Sequence, residues 1–253
     1  MLVIARSTDP SRRAVEDLLD GEFPMCSHLQ PIVRVSDGAI LGFEALARIG
    51  GGPADWRPND WLDAADHYGD AQEVELAMLD AALDRFPDIA APAYLSVNLS
   101  PRALVTFAVD HIFGRTDVDP GRVVVEITEH GAEVEHPNLI ASVERLRERG
   151  VRIAIDDVSL GFSNISRIGL LRPDVLKLDR GLIHLIEEVP QAVMMLRGIT
   201  DFAAATGASV VAEGIERPSQ MRLLAELGIA SAQGFLIGRP ALEVADGGER
   251  RRW

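Results

Sequence analysis

Hydrophobic and polar residues recur along the chain with two periods, one typical of β-strands and the other of α-helices. Short apolar runs bounded by Gly, Pro, Asp and Ser are typical of strands, whereas apolar residues spaced three and four apart are typical of helices. The short runs predict eight strands, at Gln30–Val35, Ala39–Ala47, Tyr94–Asn98, Arg122–Ile127, Arg152–Asp156, Asp174–Leu178, Ser209–Ala212 and Ser231–Phe235. The helical patterns lie at Pro58–Tyr68, Ala71–Phe86, Pro101–Phe113, Pro137–Arg149, Ser163–Leu170, Gln191–Thr206 and Pro218–Leu227.

The order of these elements predicts the fold. Ser36-Asp37-Gly38 separates the first two strands and is typical of a hairpin turn, so these strands are expected to be antiparallel. From Tyr94 onward strands and helices alternate, which is typical of parallel strands joined by helices. Eight strands in this order predict an α/β protein, a TIM-like (β/α)8 barrel with an antiparallel first strand pair.

The length of 253 residues matches a single barrel, which commonly needs roughly 250 residues. A short helix over Ser11 to Asp20 precedes the strands, and the chain ends in a polar sequence. We therefore predict a helical appendage over residues 1–24, the barrel domain over 25–242 and a polar tail over 243–253.

The formal net charge of −14 argues against a binder of polymeric nucleic acid, because phosphate binding depends on clustered Lys and Arg. An anionic ligand would need metal ions or a few placed arginines. No apolar run approaches the roughly 18 residues of a membrane helix, so no membrane insertion is expected. The single cysteine, Cys26, excludes an intrachain disulfide. A cytoplasmic location is therefore predicted.

The candidate catalytic and metal-binding residues lie at the ends of the predicted strands, where barrel enzymes place their catalytic groups. Those ends carry Glu44, Asn98, Glu126, Asp156 with Asp157, Lys177, Glu213 and Gln233. A lone acid after a strand is usually a helix cap, but several carboxylates at one mouth repel one another unless cations neutralise them. Oxygen ligands without histidine favour Mg²⁺ or Mn²⁺, and adjacent aspartates suit a pair of ions. Lys177 is either an ion-pair partner or a catalytic group.

Besides Glu44-Ala45-Leu46, seven motifs make the sequence similar to the EAL-domain cyclic di-GMP phosphodiesterases, over about residues 30–240. The seven motifs are Gln30-Pro31-Ile32, Asn98-Leu99-Ser100, Glu126-Ile127-Thr128-Glu129, Asp156-Asp157, Leu176-Lys177-Leu178-Asp179-Arg180, Val211-Ala212-Glu213-Gly214-Ile215-Glu216 and Gln233-Gly234-Phe235. The resemblance implies a TIM-like barrel that hydrolyses one phosphodiester of cyclic di-GMP to give linear pGpG.

The resemblance also implies roles for individual residues. One metal ion would be bound by Glu44, Asn98, Glu126 and Asp156. Asp157 would help to bind a second, and Glu213 and Gln233 would complete the site. Asp157 and Glu213 would act in catalysis together with Lys177, which would assist the attacking water. Substrate contacts are expected from Gln30, Leu46, Arg48 and Phe235. The ring of Phe235 would either face a guanine or pack in the core. Loop anchoring is expected from Glu129 and Glu216.

The sequence departs from the family after the paired aspartates. Family members usually have Phe-Gly-Thr-Gly there, whereas this chain has Val158-Ser159-Leu160-Gly161. The family loop is held partly by the residue corresponding to Glu129 and contributes to dimer contacts, so a homodimer or a regulatory protein partner is a further expectation. Two alternatives follow: an active phosphodiesterase with an altered loop, and a weak or inactive domain that acts as a cyclic di-GMP receptor or partner-binding regulator. Apart from the resemblance, an enolase-type lyase with a lysine base and carboxylate-held Mg²⁺ is a third.

Overall fold

The protein is described by a computed structural model covering residues 7–127, 138–158 and 168–244. Eight strands form a closed barrel in the order of the sequence. Their bounds are β1 Met25–Arg34, β2 Ile40–Ile49, β3 Tyr94–Leu99, β4 Val123–Ile127, β5 Arg152–Val158, β6 Val175–Leu178, β7 Ser209–Ala212 and β8 Ser231–Gln233. β1 is antiparallel to β2 and to β8, and the pairs from β2–β3 to β7–β8 are parallel. The predicted TIM-like barrel with an antiparallel first pair is confirmed.

The helices alternate with the strands as expected. They span Pro10–Leu19, Pro58–Tyr68, Ala71–Leu83, Pro101–Leu104, Phe107–Phe113, Leu139–Glu148, Arg180–Leu185, Pro190–Thr206 and Pro218–Glu226. The expected continuous helix Pro101–Phe113 is two helices, because Val105 caps the first of them. Of the expected helix Ser163–Leu170, only the end lies among the described residues, where 168–171 are helical. No helix in the described part of the chain is long and apolar enough to cross a membrane.

The N-terminal helix packs on the outside of the barrel. Asp9 caps it, accepting hydrogen bonds from two backbone N–H groups. Its buried residues Val15 and Leu18 contact a cluster that contains Trp61 and Val74, from the two helices that follow β2. The proposed division at residue 24 stays a prediction.

The barrel interior has an apolar floor beneath a polar layer. In a strand, residues two apart face the same side. Apolar side chains form the floor, at Ile32, Tyr94, Val124, Ala154, Val175 and Val211. Two residues farther along five of these strands stand polar side chains, at Ser96, Glu126, Asp156, Lys177 and Glu213. The closed floor therefore leaves this polar layer accessible only from the carboxyl ends of the parallel strands.

Candidate functional site

Lys177 is the centre of the polar layer and is the only lysine among the 253 residues. Its side chain is 2% exposed, and its Nζ contacts four carboxylates from four other strands or strand ends. The distances are 2.6 Å to Glu126 Oε2, 2.6 Å to Glu213 Oε1, 3.4 Å to Asp156 Oδ1 and 3.5 Å to Glu44 Oε2. Four carboxylates around one ammonium leave an excess of negative charge if all are ionised.

Two amide side chains hold Glu44. Asn98 Nδ2 donates to Glu44 Oε1 at 2.9 Å, and Gln233 Nε2 donates to Glu44 Oε2 at 2.6 Å. Gln233 Nε2 also donates to Gln30 Oε1 at 3.0 Å, and Gln30 Nε2 donates to Gly238 O at 3.0 Å. Gln30 and Glu44 are cross-strand partners in the first hairpin. Asn98 on β3 and Gln233 on β8 therefore fix the two carboxylate oxygens of Glu44, and Gln30 of the first hairpin holds Gln233 in turn.

The pKa values of the buried charged groups diverge. Burial raises the pKa of Glu126 well above its usual range, and the neighbouring Glu44 raises it further. Burial also raises the pKa of Glu213, to about 8, although Lys177 opposes the shift. For Glu44, burial is outweighed by Lys177 and the amide donors, which hold its pKa below the ordinary value. Burial would lower the pKa of Lys177, but the surrounding carboxylates raise it well above normal.

Asp156 and Asp157 both contribute to this mouth because β5 is irregular there. Successive residues of a regular strand face opposite sides. The pairing of β5 with β6 shifts register between Ile155 and Val158, and Asp157 has a positive φ of 52°. A bulge of this kind redirects a side chain. As a result, one carboxylate oxygen each of Asp156, Asp157 and Glu213 lie within 4.8 Å of one another.

The donor set fits a hard divalent cation. Asp156 Oδ1 and Gln233 Oε1 are buried and accept no hydrogen bond in the described part of the chain, although Asp156 Oδ1 lies 3.4 Å from Lys177 Nζ in an ion pair. Buried oxygens without hydrogen bonds are costly in a protein and are suitable ligands for a cation. Together with the convergence of Asp156, Asp157 and Glu213, these two atoms mark a place where bound metal would replace missing hydrogen bonds.

A cavity of about 250 Å³ opens above the carboxylates. It is lined by Gln30, Glu44, Leu46, Asp156, Arg180, Glu213, Gly214, Glu216, Gln233, Gly234 and Phe235. The expected substrate-contact positions Gln30, Leu46 and Phe235 are therefore together, and the ring of Phe235 is 45% exposed. The guanidinium of Arg239 lies 4.2 Å from the centroid of that ring.

Two other expected positions are arranged differently. The guanidinium of Arg48 donates to Ala47 O at 2.7 Å and to Leu46 O at 3.4 Å, so in this structure it binds its own strand. Its expected contact with a phosphate stays a prediction. Glu216, expected to anchor a loop, lines the cavity and forms an ion pair at 2.8 Å with Arg180. Glu129, Ser159 and Leu160 lie outside the described residues.

Two residues of this site were not singled out from the sequence. Arg180 is the only positively charged residue among those that line the cavity, and its side chain packs over Gly214. It follows Lys177 by three residues, directly after the strand end. Ser96 lies two residues before Asn98 on β3, so period-two alternation could have placed it on the same inward face.

Comparisons with known proteins agree with this geometry. A family model described as EAL domain matches residues 12–240. The chain is 33% identical over 205 residues to the probable cyclic di-GMP phosphodiesterase PdeA of Escherichia coli K12, covering 78% of this chain and 28% of the relative. It is 28% identical to the cyclic di-GMP phosphodiesterase RocR of Pseudomonas aeruginosa, covering 90% of this chain and 60% of RocR. The first relatives are longer proteins, of which the chain spans 28% to 35%.

Among solved structures, the PaMucR phosphodiesterase in complex with c-di-GMP superimposes with a TM-score of 0.78 at 28% identity. The match covers 90% of this chain and 97% of that one. The EAL domain of Xanthomonas citri FimX has the same fold, with a TM-score of 0.81 at 17% identity. The family match spans all eight strands and the whole polar layer. This chain belongs to the EAL domain family.

Proposed function

We propose that the chain hydrolyses cyclic di-GMP to linear pGpG with the help of two divalent ions, Mg²⁺ or Mn²⁺. The observation that carries the proposal is the convergence of four carboxylates within 3.5 Å of one buried ammonium, beneath an open cavity. Such a cluster is suited to cations, and two-metal sites are typical of phosphodiester hydrolysis. Family membership supports the same substrate, and it leaves the lyase alternative without support.

In this proposal the strand ends hold the ions. Glu44, Asn98, Glu126 and Asp156 would bind one, and Asp157 the other, with Glu213 and Gln233 completing the set. The bound ions would polarise a water molecule and neutralise charge on the scissile phosphate. In this reaction the water would attack phosphorus and release one proton, the bond from phosphorus to the 3′ oxygen would break, and the leaving oxygen would take up one proton, so that the protons balance.

The other residues of the cavity would bind and orient. Lys177 Nζ already lies between Glu126 and Glu213, so it can donate a hydrogen bond to a water held by the same carboxylates. The exposed ring of Phe235 offers a face for a guanine, and Gln30 offers hydrogen-bonding groups beside it. Arg180 is placed to neutralise a phosphate at the rim of the cavity.

The direct test is to mix purified protein with cyclic di-GMP and Mg²⁺ or Mn²⁺ and to separate the nucleotides by chromatography. We expect pGpG with either ion and none with EDTA. Asp156→Asn keeps the shape of the side chain but weakens a ligand, so it should lose turnover while keeping its far-UV circular dichroism. Near-normal turnover of this variant would contradict the metal assignment.

The second candidate function is a receptor that binds cyclic di-GMP without hydrolysing it. The altered sequence after Asp157 favours it, since this loop begins at the buried Val158 directly beside the paired aspartates. Binding of cyclic di-GMP without formation of pGpG would support the receptor. Changing Val158-Ser159-Leu160 to Phe-Gly-Thr should raise turnover if the loop limits the rate. Unchanged turnover would reject a rate-limiting loop.

Location and assembly belong to the same proposal. A cytoplasmic location fits a nucleotide second messenger as substrate, and the loop after Asp157 would contribute to contacts with a second copy of the chain or with a regulatory protein partner. Light scattering coupled to size-exclusion chromatography measures the oligomeric state, and a monomer at all concentrations tested would exclude the homodimer.

A further inference from the structure

Ser96 lies beneath the candidate metal site and contacts one of its carboxylates. Its side chain is 1% exposed, and its Oγ donates a hydrogen bond of 2.5 Å to Glu126 Oε1. The other oxygen of Glu126, Oε2, is 2.6 Å from Lys177 Nζ. Both oxygens of this fully buried carboxylate therefore have a fixed partner, one from below and one from the centre of the site.

We propose that Ser96 is a positioning residue, which orients Glu126 for metal binding. The inference rests on the proposed function, because it needs an ion for Glu126 to bind. A metal ligand is held in place by the groups that contact its other atoms, and these outer contacts contribute strongly to metal affinity. Ser96 supplies this contact to Glu126, while Asn98 and Gln233 supply it to Glu44.

The position of Ser96 in the barrel explains why a small hydroxyl is suitable there. On β3 it is the Cα partner of Glu44 on β2 and of Val124 on β4. It follows Tyr94 of the apolar floor by two residues and precedes Asn98 by two. Ser96 thus stands at the boundary between the floor and the polar layer, where a hydroxyl reaches upward to Glu126.

No other group in the described part of the chain takes this place for Glu126 Oε1. Without the hydroxyl, Oε1 would lose its only hydrogen bond among the described residues. The carboxylate would then be held through Oε2 alone, by Lys177. We expect Ser96→Ala to leave the barrel intact and to act on the metal site.

Ser27 provides a matched control. It is also 1% exposed and lies in a barrel strand, but its Oγ has no hydrogen-bond partner among the described residues. Ser27→Ala therefore removes a hydroxyl of equal burial without removing a contact to a carboxylate. Ser96→Cys, compared with Ser27→Cys, gives a second pair that preserves side-chain size while weakening the donor.

The experiment measures Mn²⁺ affinity by isothermal titration calorimetry on the full chain, stripped of metal and without nucleotide. Ser96→Ala should weaken binding by about 10- to 100-fold, and Ser96→Cys should weaken it in the same direction. Ser27→Ala and Ser27→Cys should bind Mn²⁺ as the wild type does. Ser96→Thr, which keeps the hydroxyl, should retain most of the affinity. Thermal unfolding in EDTA checks that each variant is folded.

The outcomes separate this inference from the proposed function. If the wild type binds Mn²⁺ and Ser96→Ala and Ser96→Cys bind it equally well, the positioning role is wrong and the metal-dependent function stands. Equal losses in the Ser27 and Ser96 variants would likewise reject a specific role, because any buried hydroxyl would then have the same effect. A wild type that binds no Mn²⁺ would overturn both the inference and the proposed function.

Discussion

Replacing Lys177 by methionine should destabilise the metal-free protein in a way that depends on pH. The ammonium contacts four carboxylates, of which Glu44 and Glu126 are buried, and methionine keeps the length of the side chain without its charge. The folded variant would hold at least one uncompensated carboxylate, which is strongly unfavourable in a buried site. It can avoid that charge by binding one more proton than the folded wild type does, at a carboxylate that is ionised in the unfolded chain at pH 7.

The cost of that proton sets the magnitude. An ordinary glutamate in the unfolded chain has a pKa of 4.5. Holding it protonated at pH 7 costs about 3 kcal/mol, because each pH unit above the pKa costs about 1.4 kcal/mol. At pH 5 the cost falls below about 1 kcal/mol. Since the folded variant binds more protons than the unfolded chain, its stability decreases as pH rises from 5 to 7.

The assay is thermal denaturation in EDTA at pH 5 and pH 7, followed by circular dichroism. At pH 7 the loss of about 3 kcal/mol should lower the melting temperature by about 6–12 °C for a domain of this size. The double variant Lys177→Met with Glu44→Gln removes one negative charge together with the positive one, because the pKa of Glu44 is held below its ordinary value, so it should recover most of the loss at pH 7. A loss that is equal at both pH values, or that the double variant does not recover, would refute the reasoning.

Three further predictions follow from other parts of the structure. Arg180→Gln should raise KM for cyclic di-GMP by about 10-fold or more with little change in kcat, because charge-assisted contacts to phosphate contribute more than about 1.4 kcal/mol. Steady-state kinetics measure this change, and Arg222→Gln, at an exposed position that does not line the cavity, is the control. Trp61→Ala should lower the free energy of unfolding by about 3–5 kcal/mol, because the ring is 2% exposed and packs against two other aromatic rings; urea denaturation measures this. Binding of Mn²⁺ at pH 7 should release protons, because Glu213, whose pKa is about 8, must ionise to bind the ion; calorimetry in two buffers of different ionisation enthalpy counts them.

Each of these predictions has a contradicting result. Equal KM values for the Arg180 and Arg222 variants would show that the rim cation does not bind substrate. If Trp61→Ala lowered the free energy of unfolding by less than about 1 kcal/mol, the residues around position 61 would have closed the space left by the ring, so that no cavity forms. Proton release should shrink above pH 9, where Glu213 is already ionised; release that grows with pH would contradict its raised pKa.

Sequence periodicity predicted the strands well because the barrel buries both faces of most of them. The bounds of β7 were predicted to the residue, and the order of all eight strands follows from the alternation with helices. β1 begins five residues earlier than expected, at Met25, because its pairing with β2 extends to Ile49 and no apolar run marks that extension. The helix Arg180–Leu185 was missed because six residues are too few to establish a period.

Individual site residues were harder to predict, since their contacts depend on the register of the closed barrel. Sequence spacing placed Lys177 at a strand end, but only the closed barrel brings carboxylates from several strands around its Nζ. Ser96 carries no charge and lies within an apolar strand, so nothing in its own chemistry distinguishes it from a packing residue. The backbone contacts of Arg48 depend on a rotamer that spacing does not specify.

The single lysine gives the chain a built-in chemical reporter. Because Lys177 is the only lysine, acylating reagents have one side-chain amine to modify. The side chain of Lys177 is 2% exposed, and carboxylates surround its Nζ. An amine reacts only when it is deprotonated and accessible, and the raised pKa of Lys177 and its burial both oppose this. The rate of ε-amine acylation therefore measures opening of the barrel mouth, and mass spectrometry of the peptide that contains Lys177 can follow it separately from the α-amino group.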